Sequence, residues 1–458
     1  MKTPWMKKRL ASVLLFAASA LGAWAQGPAD GHALSLADCV ARGLAASRAL
    51  MADDSKKAAA KAALTLAREQ YIPSLVGSGS YTRSSEVDGG TIDATLPAPI
   101  NKDVSITLPS PLQDAWLFRL SMQQPLFTGF RVESGIDLAK ASLDAAEADS
   151  IALRRSCVSS IEKAWWALVL AQETCAVAQD SEASMKAHVS EAQSRLDRGL
   201  GLRTELLSAQ MRVDDADTLL SDATASLALA RARLNILMGV AWDQSLEALA
   251  PAAPDDPPEP PPIEGLLERA RAARPELASA AARITSAQAS EISARSGLLP
   301  SVFLTGSFSY ANPNPKAFPQ SAGFSPLWDL GVLVTMDLGK APAALAQAEQ
   351  ARDAAEQARQ AYAQTGDSVS LDVVSAWLEL RKATERLKAT ASSVGLAEDA
   401  LRSQKDRLAA GMALPSEVSD AETALLRSRL ERTGFRVAWE LAKAALRDAL
   451  GEDFGEKP

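Results

Sequence analysis

Three carboxylates stand where they could do chemistry. Glu417 and Asp420 are three residues apart, so a helix would place both on one face, shortly after Gly411. Glu205 follows Gly199 at the same interval of six residues that separates Glu417 from Gly411. Carboxylates gathered around a narrow passage disfavour anions and attract cations, divalent ions included. Acids also suit the positive end of a helix dipole, which would make these positions an ordinary solvated helix start. The sequence leaves both readings open. Little else is equipped to react. The two histidines, His32 and His188, lack metal-ligand spacing, and Cys39, Cys157 and Cys175 form no Cys-x-x-Cys pair. Cys157 and Cys175 are 18 residues apart on one expected helix, roughly 27 Å, too far to bridge. All three cysteines read as small buried hydrophobes. With no phosphate-binding glycine loop and no nucleophile motif, no enzyme, metal centre or cofactor is expected.

Composition narrows the class further. The net charge is -8 and the pI about 5.2, with basic and acidic residues interleaved, which argues against a nucleic-acid partner. Residues 1–25 read as a signal peptide: Lys2, Lys7, Lys8 and Arg9, then the apolar run Leu10–Leu21, then Ala23-Trp24-Ala25 before Gln26. No cysteine follows closely, so no N-terminal lipid anchor is expected. No later run of 18 apolar residues exists, so a membrane segment in the mature chain would have to be built of strands.

The elements that would position the carboxylates are two very long helical hairpins. Arg131–Asp197 contains no proline and one glycine, Gly135. As a helix its 67 residues would extend roughly 100 Å. Ile161, Leu168, Cys175, Glu182, Val189 and Leu196 recur every seven residues, a coiled-coil-like seam. The break at Arg198-Gly199-Leu200-Gly201 leads into a returning helix, 203–238. A second hairpin is expected over 341–409 and 416–450, broken at Ala410-Gly411-Met412-Ala413-Leu414-Pro415.

Before each hairpin the hydrophobic period changes. Short helices are expected at 36–47 and 49–71, then period-2 strands at 74–83 and 115–125, with 83–114 between them as a long loop rich in Gly, Pro, Thr and Asp. A proline-dense linker, 250–262, precedes helices 263–273 and 275–296 and strands 301–310 and 327–337. The order is the same twice: a first repeat over 26–249, a second over 263–451, and a tail at 452–458. Trp165 and Trp377, Gly199 and Gly411, Glu205 and Glu417, and Gly239 and Gly451 all lie 212 residues apart, which points to an internal duplication. Four strands of bilayer-spanning length cannot close a barrel, and open edges are not tolerated in lipid. Three copies would supply 12 strands.

In this order and repetition the chain resembles the TolC-like outer membrane efflux protein family. The resemblance rests on Tyr71-Ile72-Pro73-Ser74, Gln124-Pro125-Leu126-Phe127-Thr128-Gly129, Arg198-Gly199 with Glu205, Arg274-Pro275-Glu276-Leu277, Leu299-Pro300-Ser301, and Gly411 with Glu417 and Asp420. It covers about residues 34–451. It implies a mainly helical homotrimer, whose 12-helix α-barrel continues into a 12-stranded outer-membrane β-barrel with four strands per protomer. It also implies a periplasmic adaptor and an inner-membrane pump or ABC transporter as partners, and export of small molecules or a secreted protein as the task.

Under that resemblance the hairpin turns lie at the periplasmic entrance. Arg198, Gly199, Leu200, Gly411 and Met412 become candidate adaptor contacts, and Glu205, Glu417 and Asp420 a candidate selectivity ring. Leu408 stands where the family can carry tyrosine and Ala413 where it can carry arginine, so Leu408 and Leu414 are expected to form an apolar constriction instead of a polar latch. Tyr81, Trp116, Phe118, Tyr310 and Trp328 are candidates for the aromatic girdle at the bilayer interfaces. Met336-Asp337-Leu338-Gly339-Lys340 departs from the first repeat's Gln-Pro-Leu-Phe-Thr-Gly, so the return from strand to helix is expected to differ there. An exported coiled-coil surface protein or a periplasmic adaptor are the other classes with long helical hairpins. Neither requires two equal hairpins joined to paired strands.

Overall fold

The computed structural model describes residues 33–95, 97, 99, 103–199, 201–251, 254, 256–318 and 320–452. The expected signal peptide and most of the tail lie outside them. In chain order the elements are β1 (Ala33–Leu34), α1 (Leu36–Ala46), α2 (Arg48–Glu69), β2 (Ser74–Arg83), β3 (Thr91–Thr95), β4 (Asp103–Thr107), β5 (Asp114–Phe127), α3 (Arg131–Asp197), α4 (Arg203–Leu237), β6 (Glu247–Ala248), α5 (Glu264–Ala273), α6 (Pro275–Arg295), β7 (Ser301–Asn312), β8 (Ser325–Thr335), α7 (Ala341–Ala409) and α8 (Pro415–Leu450). The chain is mainly helical with a smaller strand portion, and it divides into two compact units.

One unit gathers residues through Ser47, Ser156–Pro261 and Ala376–Asp448. It opens with a capped start: the Ser35 hydroxyl accepts from the Asp38 N–H and donates to the Asp38 carboxylate at 2.7 Å. Along α3 the heptad seam is deeply buried at Ile161, Leu168 and Cys175 and only half-buried at Glu182, Val189 and Leu196. Cys175 and Ala178 pack against Ala223 of α4, with Leu219, Leu220 and Leu227 around them. Burial pushes the Cys39 thiol up to about 11, which keeps it an inert core residue. The proline-rich linker is pinned along the second hairpin. The Trp377 indole N–H donates to the Pro261 carbonyl at 2.8 Å, Lys388 lies 3.6 Å from Asp256, and Arg436 donates to the Pro251 carbonyl.

The other unit gathers Arg48–Arg155, Pro262–Ser375 and the chain from Ala449 onward. Here α2 lays Leu64 and Ala67 on Ala139 of α3, beside Ile136 and Leu143. Arg283 pairs with Asp149 at 2.8 Å, and Arg274 with Asp372 at 2.9 Å. A four-stranded antiparallel sheet runs in the order β2-β5-β7-β8. Its strands reach further than the alternation alone suggested: β5 continues to Phe127 by a bulge near Pro125, and β7 to Asn312. The stretch 83–114 is more than the expected loop, because β3 and β4 pair there as an antiparallel ribbon apart from the main sheet. Their five residues each lie among glycines and prolines, too short to show a period.

The two returns from strand to helix differ. After β5 the chain reverses at Gly129 and Phe130, both at positive φ. A Cβ on Gly129 would meet the Leu299 Cβ and the Ser296 carbonyl at 2.9 Å, so glycine is required there by space as well as backbone. The Thr128 hydroxyl then accepts from the Val132 N–H. After β8 a short 3-10 turn over Leu338–Lys340 does this work, with the Asp337 side chain accepting from the Lys340 N–H.

Candidate functional site

Strand pairing sorts the sheet into an apolar face and one that holds its polar side chains. Register places Leu75 and Tyr81 of β2, Trp116, Phe118, Leu120 and Met122 of β5, Phe308 and Tyr310 of β7, and Trp328, Leu330, Val332 and Val334 of β8 on one face. That face is apolar yet exposed: Trp328 is 74% exposed, Leu330 65% and Phe118 50%. Exposed apolar surface on this scale marks a surface meant to be covered. The opposite face is mixed: it carries Ser78, Ser80, Arg119, Ser121, Gln123, Ser307, Ser309 and Asp329, with Val76, Leu117, Phe303, Leu327 and Leu333 among them. It is internally bonded, with the Arg119 Nε donating to the Ser309 hydroxyl at 3.2 Å and the Ser307 hydroxyl donating to Asp329.

Four of the five aromatic candidates collect at one end of the apolar face. Tyr81 and Trp116 are 4.5 Å apart, and the Tyr81 hydroxyl donates to Asp114 at 2.7 Å. Phe118 and Tyr310 both approach Phe324, the latter stacked at 5.0 Å. Trp328 stands apart, opposite Phe308. Phe324 escaped sequence reasoning because it stands just before β8, outside any alternation.

The carboxylate candidates sit at the hairpin turns. Both hairpins reverse at a glycine of positive φ, +73 at Gly199 and +72 at Gly411, where a side chain would strain the backbone. Beyond each, the expected acid turns back on its own helix start. Glu205 accepts from the Leu202 N–H at 3.4 Å, and Glu417 from the Leu414 N–H at 3.0 Å. These two carboxylates therefore cap the first turns of α4 and α8. Asp420 is the freer one, largely exposed and 3.8 Å from Arg212 of α4. Arg198 folds onto its own helix, its Nε donating to the Ser194 carbonyl, while Met412 is 68% exposed. Leu200 lies outside the described residues.

A cavity of about 330 Å³ opens beside these turns. Leu408 and Leu414 both line it, together with Glu205, Arg212, Val418 and His188. His188 had no partner on sequence spacing. The fold supplies one 234 positions away: its Nε2 lies 2.6 Å from a carboxylate oxygen of Glu422, whose other oxygen is 3.1 Å from Lys405. Burial pushes the Glu422 carboxyl up, but the His188 hydrogen bond and the Lys405 ammonium outweigh it and hold the group below its ordinary value. The same hydrogen bond raises the His188 imidazole against the effect of its own partial burial. Sequence reasoning missed this carboxylate and chose the less buried Glu417 and Asp420 beside it. The available signal was position: Glu422 follows buried Val418 by four residues, which puts a charge on the apolar face of α8. No cluster of three or more metal-ligating side chains is present among the described residues, and no described helix is long and apolar enough to cross a membrane.

Comparison with known proteins follows the same lines. No curated relative matches the chain by sequence. Solved structures match the fold closely at low identity. The CusC channel is 18% identical, with a TM-score of 0.76 over 94% of this chain and 96% of that one. The outer membrane protein VceC of Vibrio cholerae is 20% identical, with 0.74 over 91% and 96%. The outer membrane channel MtrE of Neisseria gonorrhoeae, in its open state, is 19% identical, with 0.72 over 91% and 89%. A family model described as "Outer membrane efflux protein" matches residues 40–240 and 266–452, which takes in both hairpins and the sheet. The two-faced sheet and the glycine-broken hairpins are thus held within one family match, and the chain belongs to the outer membrane efflux proteins.

Proposed function

We propose that this chain is the outer-membrane exit duct of a tripartite efflux or type I secretion system. It conducts substrates passively from a periplasmic adaptor and an inner-membrane pump or ABC transporter to the exterior. The observation that carries the reading is the sheet: one face apolar and exposed, the other holding the sheet's internally bonded polar side chains, with β2 and β8 at its open edges. Lipid covers the first face, water the second, and neighbouring copies the edges. Three copies of four strands make a 12-stranded barrel, and three copies of two hairpins a 12-helix tube in the periplasm. The 212-residue offset supports an origin of the two hairpins by duplication. Cleavage after Ala25 delivers the chain to the envelope. Tyr81, Trp116, Phe118 and Tyr310 then form one interfacial girdle, with Trp328 deeper in the lipid-facing band. The turns with Arg198, Gly199, Gly411 and Met412 meet the adaptor, and Leu408 and Leu414 narrow the entrance.

Recording from the purified protein in planar bilayers tests this reading. The expected result is a cation-preferring channel carried by a trimeric species. Glu417→Gln combined with Asp420→Asn is expected to lower the cation preference several-fold and to relieve block by divalent ions. Asp420 contributes the larger part, since Glu417 already caps its own helix. Unchanged selectivity and block in the double variant remove the ring. A monomeric, non-conducting protein removes the duct.

A further inference from the structure

His188, Lys405 and Glu422 join three helices drawn from both hairpins. His188 belongs to α3 of the first, Lys405 and Glu422 to α7 and α8 of the second. The Glu422 side chain is 7% exposed and holds a different partner on each oxygen. A buried carboxylate bridged in this way ties its neighbours together, and the tie weakens when either partner loses its charge. An imidazole changes its charge within about pH 5 to 8, so a tie through His188 is sensitive to pH. The cluster adjoins the cavity bordered by Leu408 and Leu414, so anything that frees α8 from α3 is felt at the expected constriction.

We propose that His188, Glu422 and Lys405 form a proton-operated latch, which holds the two hairpins together at their turn ends and opens as His188 is deprotonated. The inference rests on the duct reading, because it assigns the latch a channel to gate. The charged groups around it leave His188 as the titrating member. On its own helix Glu191 and Arg195 face the same cavity, and Lys186 is taken up by Glu182 and Asp217. From α4 come Glu205, which caps its helix, and Arg212, which pairs with Asp420 of α8. From α7 comes Lys405, and from α8 Glu422.

The direction in pH follows from linkage. Glu422 raises the imidazole in the folded state. The tie is therefore complete below the unfolded imidazole value of about 6.5 and is lost as pH rises through the higher folded value. External acid, which reaches the periplasm, would close the duct, and neutral or alkaline conditions would release it.

Two measurements on the full chain in detergent or bilayer test the latch. In planar bilayers, mean conductance is expected to rise several-fold between about pH 5.5 and about pH 8.5, a window that brackets imidazole titration. His188→Gln is expected to abolish that rise and stay in the open range throughout. A variant that keeps the wild-type pH profile overturns the proposal. The second measurement is independent of conduction. The chain has only one other histidine, His32, so NMR of histidine-labelled protein can follow His188 with His32 as an internal reference. Glu422→Gln is expected to move the His188 midpoint down and Lys405→Met to move it up, opposite shifts that general misfolding does not produce. Two unmoved midpoints overturn the latch even in a conducting channel. Opposite shifts in a protein that conducts at no pH support the latch chemistry and overturn the duct.

Discussion

Trp165→Ala is expected to lower the unfolding free energy by about 3–5 kcal/mol, the usual loss for a fully buried tryptophan. Trp165 is 1% exposed on α3 and packs edge-on against Trp166 at 4.8 Å, with Ile161 and Leu168 buried on the same helix. Its indole N–H has no hydrogen-bond partner among the described residues, so the loss comes from packing and the cavity left behind. Heating the detergent-solubilised protein while following its helical circular dichroism measures the effect as a lower midpoint. An unchanged midpoint would show that α3 repacks around the hole. Trp377 lies 212 residues on, in the second hairpin, and its indole is partly exposed, bonded to the linker carbonyl of Pro261 and overlaid by the Arg381 guanidinium. The same substitution there is expected to cost less, because truncation leaves a smaller void.

Arg447→Met is expected to destabilise the protein by about 3–5 kcal/mol near neutral pH, because it strands a buried charge. Arg447 of α8 donates to Glu162 of α3, whose side chain is 7% exposed. Burial raises the Glu162 carboxyl above its ordinary value, and the Arg447 charge offsets this only in part. The folded state therefore binds the Glu162 proton more readily than the unfolded state, and stability falls as pH rises through that window. Removing Arg447 raises the carboxyl further and widens the window. The stability gap between variant and wild type should accordingly shrink on acidification, as Glu162 takes up a proton instead of standing charged and alone. Denaturant titrations at neutral and mildly acidic pH measure the gap, and a gap that grows in acid would refute the account. Adding Glu162→Leu to Arg447→Met is expected to restore most of the lost stability, since burying neither charge avoids the desolvation cost.

Local pattern carried much of the fold. A helix needs no information beyond the absence of breakers and a steady period, and the proline-free stretch Arg131–Asp197 holds one unbroken helix. A strand pair announces itself by alternation, which separated Trp116, Phe118 and Leu120 from Arg119 and Ser121 before any pairing was known. A reversal between long helices calls for positive φ, and Gly199 and Gly411 mark the two places. The mainly helical class with a strand portion and the family resemblance were legible for the same reason, since both depend on the order of local signals along the chain.

Other features depend on residues far apart in sequence, and these only the tertiary structure decided. Glu417 and Glu205 looked like chemistry, but their first partners are the N–H groups of their own helix starts, a choice made by side-chain rotamer. The ribbon of β3 and β4 hid in a loop-like composition because its two short strands pair only with each other. Trp165 and Trp377 lie 212 residues apart, one on each hairpin, and differ in burial, because the proline-rich linker packs on one hairpin. Glu422 became the carboxylate with the most consequential surroundings only when hairpin packing brought His188 from 234 positions away and set Lys405 on its other oxygen. Periodicity along one chain segment reports which face of an element is buried. It carries no record of which charge on another element will meet that face, since the meeting is set by the packing of whole helices.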